Sequence, residues 1–175
     1  MLGFGVVELF LRQGQAAKKI TPTPTDRGTT LLLVTAYLLA VLATSSNLLP
    51  TLDLGPVVGW AGVGVGVSGF GFRVWAMRVL GRYYTRTLVA TLDQRVVRQG
   101  PYRVIRHPGY LGSILVWTGA AASSENLFSI LAVMILLAIA YTYRIRTEER
   151  MLVETLGKTY MDYRKESWRL LPFVF

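Results

Sequence analysis

The chain has no cysteine and a single histidine, His107, and only 17% of its 175 residues are charged. Without cysteine there is no disulfide, no thiol nucleophile and no thiolate-bound metal, and one imidazole does not make a histidine-based zinc site. A resident metal is therefore not expected. So little charge beside 52% hydrophobic residues is also too little for an ordinary soluble domain. Charge is missing altogether from four runs, residues 28–52 (25 residues), 54–72 (19), 107–124 with its histidine neutral (18) and 126–143 (18). A bilayer core about 30 Å thick takes about 20 apolar residues of helix, about 17 at the least, so each run is expected to span it. The reading is one all-α integral membrane domain over residues 1–175. Its transmembrane helices are placed at 28–52, 54–80, 107–124 and 126–143, with a fifth if the N-terminal segment crosses.

What charge there is falls in a pattern. The 19 Lys and Arg residues occupy three stretches: four in 12–27, eight in 73–106 and seven in 144–169. The connections around Asp53 and Glu125 carry none. Short loops rich in Lys and Arg stay on the cytoplasmic side, and two spans between each basic stretch put all three there. The same location explains the net charge of +9 through lipid headgroups, so nucleic acid is not an expected partner. The opening "MLGFGVVELFL" covers about half the hydrocarbon at about 1.5 Å per residue. No basic n-region precedes it and no small-residue cleavage site follows, so it is read as a short inserted or interfacial helix rather than a signal peptide. "TPTPTDRG" then reads as an extended proline linker that completes an N-terminal segment over 1–27.

In the second run, Gly64, Gly66 and Gly69 match the dinucleotide fingerprint G-x-G-x-x-G. That motif works only between a strand and a helix of a soluble βαβ unit, and here it lies inside an uncharged helix-length run, so it is rejected. Gly55, Gly59, Gly62 and Gly66 instead repeat every three or four residues, the pattern by which membrane helices pack closely. "ASSEN" joins the third and fourth runs and is short enough only for a C-terminal helical hairpin. Helical periodicity continues past the fourth run to Leu156 and stops at Gly157.

Gly100-Pro101 breaks the chain and Pro108 pushes His107 out of the helical region, so residues 100–109 are expected to form an ordered loop. Irregular backbone at membrane depth persists only where protein or a wet cavity satisfies it, which favours a binding site there. Individually, Arg98, Arg103 and Arg106 are also explained as cytoplasmic anchors, and Tyr102 and Tyr110 as members of the interfacial aromatic belt. Likewise Arg144 with Glu148, or Arg150 with Glu154, has the spacing of a solvated helix pair. Glu148 and Glu149, however, point about 100° apart on a helix, so they do not both serve such a face. One is expected to turn toward the loop. Arginines, a histidine, tyrosines and a carboxylate together suit a zwitterion that carries a further cation, and a sulfonium beside tyrosine faces gains on the order of 0.5–2 kcal/mol. S-adenosylmethionine is one such molecule, although these residues by themselves do not select it.

The segments "GRYYTRTL", "RVVRQGPYRVIRHPGYLG", "RTEERMLVETLGKTYMDYRKES" and "RLLPF" resemble the isoprenylcysteine carboxyl methyltransferase family and its phospholipid methyltransferase relatives, over about residues 60 to 175. The resemblance implies a cytoplasmic cofactor site built by segments 81–106 and 144–175. S-adenosylmethionine would lie between the Arg-His-Pro loop and the double-glutamate helix, and a lipophilic methyl acceptor would enter from the bilayer. The matching cofactor-binding positions are Val97, Gly100, Pro101, Tyr102, Arg106, His107, Pro108, Tyr110, Glu148 and Glu149. One position departs from the pattern: Gln94 stands where many carboxyl methyltransferases of the family have histidine, which bears on the acceptor rather than the cofactor.

A carboxylate acceptor is already ionised near neutral pH and needs an arginine to hold it, whereas an amine needs a base. Arg106 and Arg144, with Glu148 as the available base, are the candidate catalytic residues, and the surplus of arginine favours carboxyl O-methylation of an isoprenylcysteine-like substrate. The alternatives are a phospholipid amine N-methyltransferase, an NADPH-dependent membrane sterol or enone reductase, and a non-catalytic scaffold that binds anionic lipid.

Overall fold

The structure, a computed structural model, describes residues 26–45, 48–83 and 95–173. The expected insertion of residues 1–11 and the departure at Gln94 fall outside the described residues. Five α-helices follow in order: α1 (Thr29–Ser45), α2 (Pro56–Leu80), α3 (Pro108–Ala122), α4 (Leu127–Leu156) and α5 (Lys158–Glu166). Single 3₁₀ turns occupy Gly81–Tyr83 and Gly100–Arg103. Among the described residues there is no β-strand, only two isolated bridges, Asp53 with Asn126 and Ile105 with Trp168.

Each charge-free run contains one helix, but two of the four are shorter than the runs. α2 and α4, at 25 and 30 residues, are long and apolar enough to cross a bilayer. α1 and α3 have 17 and 15 residues, about 25 and 22 Å at about 1.5 Å per residue. The helix in the first run stops at Ser45, and residues 52–54 beyond it are not helical. They pair with the turn after α3: the Leu54 amide donates to the Glu125 carbonyl at 2.8 Å and the Leu127 amide to the Leu52 carbonyl at 3.1 Å. Asn126 completes this latch, its Oδ1 capping α4 through the Phe128 amide at 3.1 Å and accepting from the Leu52 amide at 3.2 Å. Absence of charge marks what lipid tolerates; the paired turn decides where helix stops.

α2 and α3 pack backbone to backbone. A Cβ on Gly62 would lie 2.6 Å from the Ala122 Cβ, and one on Gly119 would lie 2.5 Å from both the Gly62 carbonyl oxygen and the Gly66 amide. Ordinary contact is about 3.5–4.0 Å, so no side chain fits at these positions. Gly69 and Gly112 extend the seam toward the other end. Gly55, expected in the seam, is instead the φ +77° residue immediately before α2, with nothing near its Cβ position. Its spacing matched the repeat, but the helix begins one residue later, at Pro56, whose ring favours the first helical position.

α1 packs against α4 through Leu33, Ala36 and Ala40, which meet Val133, Leu137, Ala140, Tyr141 and Ile145. The opposite faces stay apolar and open: Leu31, Leu38 and Leu42 on α1, Val57, Trp60 and Val67 on α2, Ile135 and Ile139 on α4. Exposed apolar surface of this extent suits lipid rather than water. α4 ends at Gly157, whose φ of 52° no β-branched or bulky residue adopts readily. The chain then folds back through α5, so that residues 167–169 run beside the loop before α3.

Candidate functional site

The loop with the sole histidine is held at every step by the C-terminal segment. The Trp168 amide donates to the Val104 carbonyl at 2.9 Å, the Arg106 amide to Trp168 at 2.8 Å and the His107 amide to Arg169 at 3.2 Å. These bonds satisfy backbone that would otherwise be stranded. The loop is more regular than the sequence suggests, because Gly100–Arg103 closes a 3₁₀ turn and α3 starts at Pro108. His107 is the residue before α3, at φ −122°, ψ 55°, outside the helical region as a pre-proline position requires. Tyr102 and Pro101 are buried. The Tyr163 hydroxyl donates to the Tyr102 carbonyl at 2.6 Å, fastening α5 to the turn. A Cβ on Gly100 would reach Val79 of α2 at 3.0 Å, and Val97 lies half-buried just before the turn. Val97, Gly100, Pro101 and Tyr102 thus form the base on which the charged residues stand.

Arg106, His107, Tyr110, Glu148 and Glu149 come together. Glu149 is 4% exposed and is ringed by basic side chains: Arg106 Nε at 2.9 Å, Arg169 Nη2 at 3.1 Å, His107 Nε2 at 3.4 Å and Arg164 Nε at 4.0 Å. Burial by itself would raise its pKa, but the bonds and charges from His107, Arg106 and Arg169 outweigh burial and hold the carboxyl well below the usual carboxylate range. Arg106 also donates through Nη1 to the carbonyls of Ser167 and Arg164. Glu148 accepts from the Tyr110 hydroxyl at 2.6 Å and lies 3.6 Å from His107 Nδ1. The His107 and Tyr110 rings stack, 6° from parallel with centroids 5.5 Å apart. Both adjacent acids therefore engage the loop side, not one alone. The 100° between them is spanned because His107 lies between the two carboxylates while Tyr110, three residues on, reaches Glu148.

Arg144 is not a solvated helix partner. Only 3% exposed, it donates through Nε to the Tyr110 hydroxyl at 2.9 Å and through Nη1 to Thr29 and Thr30 hydroxyls at 2.9 and 3.1 Å. Its counter-charge is Asp26, fully buried, at 3.4 Å. Asp26 sits in what reads from sequence as a linker, yet it accepts from the Thr29 and Thr30 hydroxyls at 2.8 and 2.9 Å and the Thr30 amide at 3.0 Å, serving a first-turn N–H of α1. Burial would raise its pKa; these bonds and Arg144 bring it below the ordinary value.

Sequence reasoning missed Asp26, Arg164, Ser167 and Arg169. Arg169 had a signal, the closing "RLLPF", and Asp26 had a weaker one in the D-x-x-T spacing of a helix start. Beside Glu149 the surface opens into a cleft of about 320 Å³, lined by Arg146, Arg150, Arg164 and Arg169 together with Glu149 and Glu154. That is near the lower end of small-molecule sites, about 300–1,000 Å³. Among the described residues there is no cluster of three or more acidic or histidine side chains placed to hold a metal.

With this geometry in hand, three kinds of comparison converge. The family model described as "Isoprenylcysteine carboxyl methyltransferase (ICMT) family" matches residues 62–154. A probable protein-S-isoprenylcysteine O-methyltransferase of Oryza sativa subsp. indica is 29% identical over 154 residues, covering 83% of this chain and 81% of that protein. Methanethiol S-methyltransferase 2 of Bradyrhizobium diazoefficiens is 35% identical over 75 residues, 42% of this chain and 27% of that one. Among solved structures, a eukaryotic intramembrane Ras methyltransferase superposes with a TM-score of 0.63 at 21% identity, covering 89% of this chain. The chain spans about half of that solved protein, 55% of its length, so the likeness speaks for the fold.

Proposed function

The chain belongs to the isoprenylcysteine carboxyl methyltransferase family, and on that premise we propose that it is an S-adenosylmethionine-dependent methyltransferase acting on a lipophilic carboxylate, an isoprenylcysteine-like acid. The observation that carries this reading is the buried Glu149 with its arginines at the edge of an open cleft. The residues fit the cofactor by chemistry. Glu149 and Glu154 are acceptors for an ammonium or for ribose hydroxyls, and the four arginines are donors for a carboxylate. On α5 the Tyr160 hydroxyl is buried and has no hydrogen-bond partner among the described residues. The bound cofactor supplies an electrophilic methyl group on a sulfonium.

The chain's own residues do the rest by holding charges still. Arg106 and Arg169 keep Glu149 ionised and fixed, and Arg144 and Tyr110 fix Glu148, so neither carboxylate reorganises when a cation enters. Arg106 and Arg144 are bound to protein partners, and in this reading they position the site, while the cleft arginines supply the field that holds an acceptor carboxylate. Such an acceptor needs no general base, which agrees with a Glu149 that stays ionised. The stacked His107 and Tyr110 rings form a flat wall beside the carboxylates. In-line transfer depends on alignment and exclusion of water, and the packed loop provides both.

In this reading α1, α2, α3 and the first part of α4, to about residue 143, lie in the membrane, α3 and α4 as a hairpin, with the rest of α4, the loop and α5 on the cytoplasmic side. The shorter α1 and α3 are accommodated by local thinning of the bilayer. A thiol acceptor is the second reading, favoured by the bacterial S-methyltransferase relative. Calorimetric titration of S-adenosylhomocysteine into detergent-solubilised protein tests the cofactor, and turnover of a prenylated cysteine against a small alkane thiol tests the acceptor. Binding that Glu149→Ala and His107→Ala both lose is expected. A folded wild type that does not bind would refute the proposal.

A further inference from the structure

Past α5 the chain carries apolar side chains that face outward. Trp168, Leu171 and Phe173 are 42%, 43% and 86% exposed, and the Trp168 and Phe173 rings touch, with centroids 5.2 Å apart. Val104, to whose carbonyl the Trp168 amide donates, is half-exposed as well. Leu170, between them in sequence, does the opposite: it packs against the cluster where α1 meets α4, as do Tyr110, Ile114 and Trp117 of α3. The segment thus has an inner side against the helices and an apolar outer side. Backbone pairing fixes the level at which that outer side stands. The Trp168 and Arg169 carbonyls accept from the Arg106 and His107 amides, and α3 begins one residue later, at Pro108. With 15 residues, α3 is about 22 Å long in a hydrocarbon layer of about 30 Å, so its first turn does not stand clear of lipid. Residues 95–107 and 167–175 contain no acid, Arg103 is exposed beside Val104, and the neighbouring Glu166 is paired with Arg98 at 2.5 Å. Lipid phosphates therefore meet no unpaired negative charge from these segments.

We propose that residues 168–173 are seated in the lipid surface on the side of the site, with Trp168, Leu171 and Phe173 at the boundary between headgroups and acyl chains, where such side chains are favoured. A second copy of the chain or a soluble protein would also cover apolar side chains. The pairing to the residue before α3, and the shortness of α3, favour lipid. The inference rests on the reading above that α3 lies in the membrane, and it adds what the site stands on. Ser167 and Arg169 flank Trp168 and hold the centre of the site: the Ser167 carbonyl accepts from Arg106, and Arg169 Nη2 lies 3.1 Å from Glu149. The seat brings the rim of the site to the lipid surface, where a lipophilic acceptor is dissolved.

A chain without cysteine takes a nitroxide at one chosen position. Leu171→Cys and Phe173→Cys are labelled separately and reconstituted in vesicles of phosphatidylcholine and phosphatidylglycerol. Both side chains are exposed, so neither substitution opens the core. Power saturation then compares collisions with oxygen, which concentrates in lipid, and with a nickel chelate, which stays in water. Ile139→Cys, at an exposed apolar position of α4, gives the lipid standard, and Lys165→Cys, whose side chain is 77% exposed, gives the water standard. The expected oxygen-to-nickel ratio at 171 and at 173 lies between the two standards and severalfold above that at 165. A ratio equal to that at 165, at either position, would place the segment in water. Protection from both reagents at either position would show that protein covers it, a second copy or another part of this chain. Either result overturns the seat and leaves the membrane reading standing. A water-like ratio at 139 overturns both.

Discussion

Asp26→Asn removes the charge and one of two acceptor oxygens, of which Oδ1 serves the Thr29 and Thr30 hydroxyls and Arg144 and Oδ2 the Thr30 amide. Asparagine caps a helix start about as well as aspartate and still presents an oxygen to the Thr30 amide. The lost charge is the counter-charge 3.4 Å from Arg144, between two groups that are 0% and 3% exposed. Removing one partner of a buried pair costs about 3–5 kcal/mol because the other charge is left stranded. Here Arg144 keeps the Thr29, Thr30 and Tyr110 hydroxyls, and Glu148 lies one turn away on α4, so the lower end, about 3 kcal/mol, applies. At roughly 2–4 °C per kcal/mol for a chain of this size, the melting temperature falls by about 6–12 °C. Tryptophan fluorescence in detergent reads it directly, since Trp117 stacks on Tyr37 of α1 at 4.7 Å. Arg144→Met supplies the second edge of a double-mutant cycle, and the double variant loses less than the sum of the singles. A shift below about 2 °C for Asp26→Asn, or strict additivity, would refute the pairing and with it the docking of the α1 start onto α4.

Three further outcomes follow from the same structure. Gly119→Val forces a side chain into backbone 2.5 Å away and is expected to lower the melting temperature by several degrees, while Gly64→Val, with open space at its Cβ position, changes it little; equal effects would disprove the seam. Glu149→Gln destabilises by about 3–5 kcal/mol at pH 7, for the same reason as a broken buried pair. Its pH dependence has a definite sign: Glu149's folded pKa is depressed, so its stabilisation is fully present above the unfolded value of about 4.3 and is lost as pH falls through the folded value. Melting temperatures of wild type and Glu149→Gln, taken from pH 7 down to 3, therefore keep a constant gap to about pH 5 and converge only below about pH 4.3; a gap closing near pH 6 would contradict the assigned cations.

The sequence by itself determined a great deal here, because lipid imposes simple rules. Charge-free length located four helices, and Gly157 and Pro108 marked a helix end and a helix start through backbone geometry that any fold must respect. The ordered combination of the Arg-His-Pro loop, the double glutamate and the closing Arg-Leu-Leu-Pro was specific enough to point to the family. Only the tertiary structure decided which charges meet. Asp26 and Arg144 are 118 residues apart, and no local rule separates that pair from the solvated Arg144–Glu148 spacing. That both glutamates serve the loop depends on His107 standing between their two directions. That Gly55 turns the chain while Gly62 and Gly119 meet depends on where α2 starts and how closely α3 approaches. Helices in lipid are specified locally, by apolar length and backbone propensity. The pairing of buried charges is specified by which helices come together, and that information is spread over the whole chain.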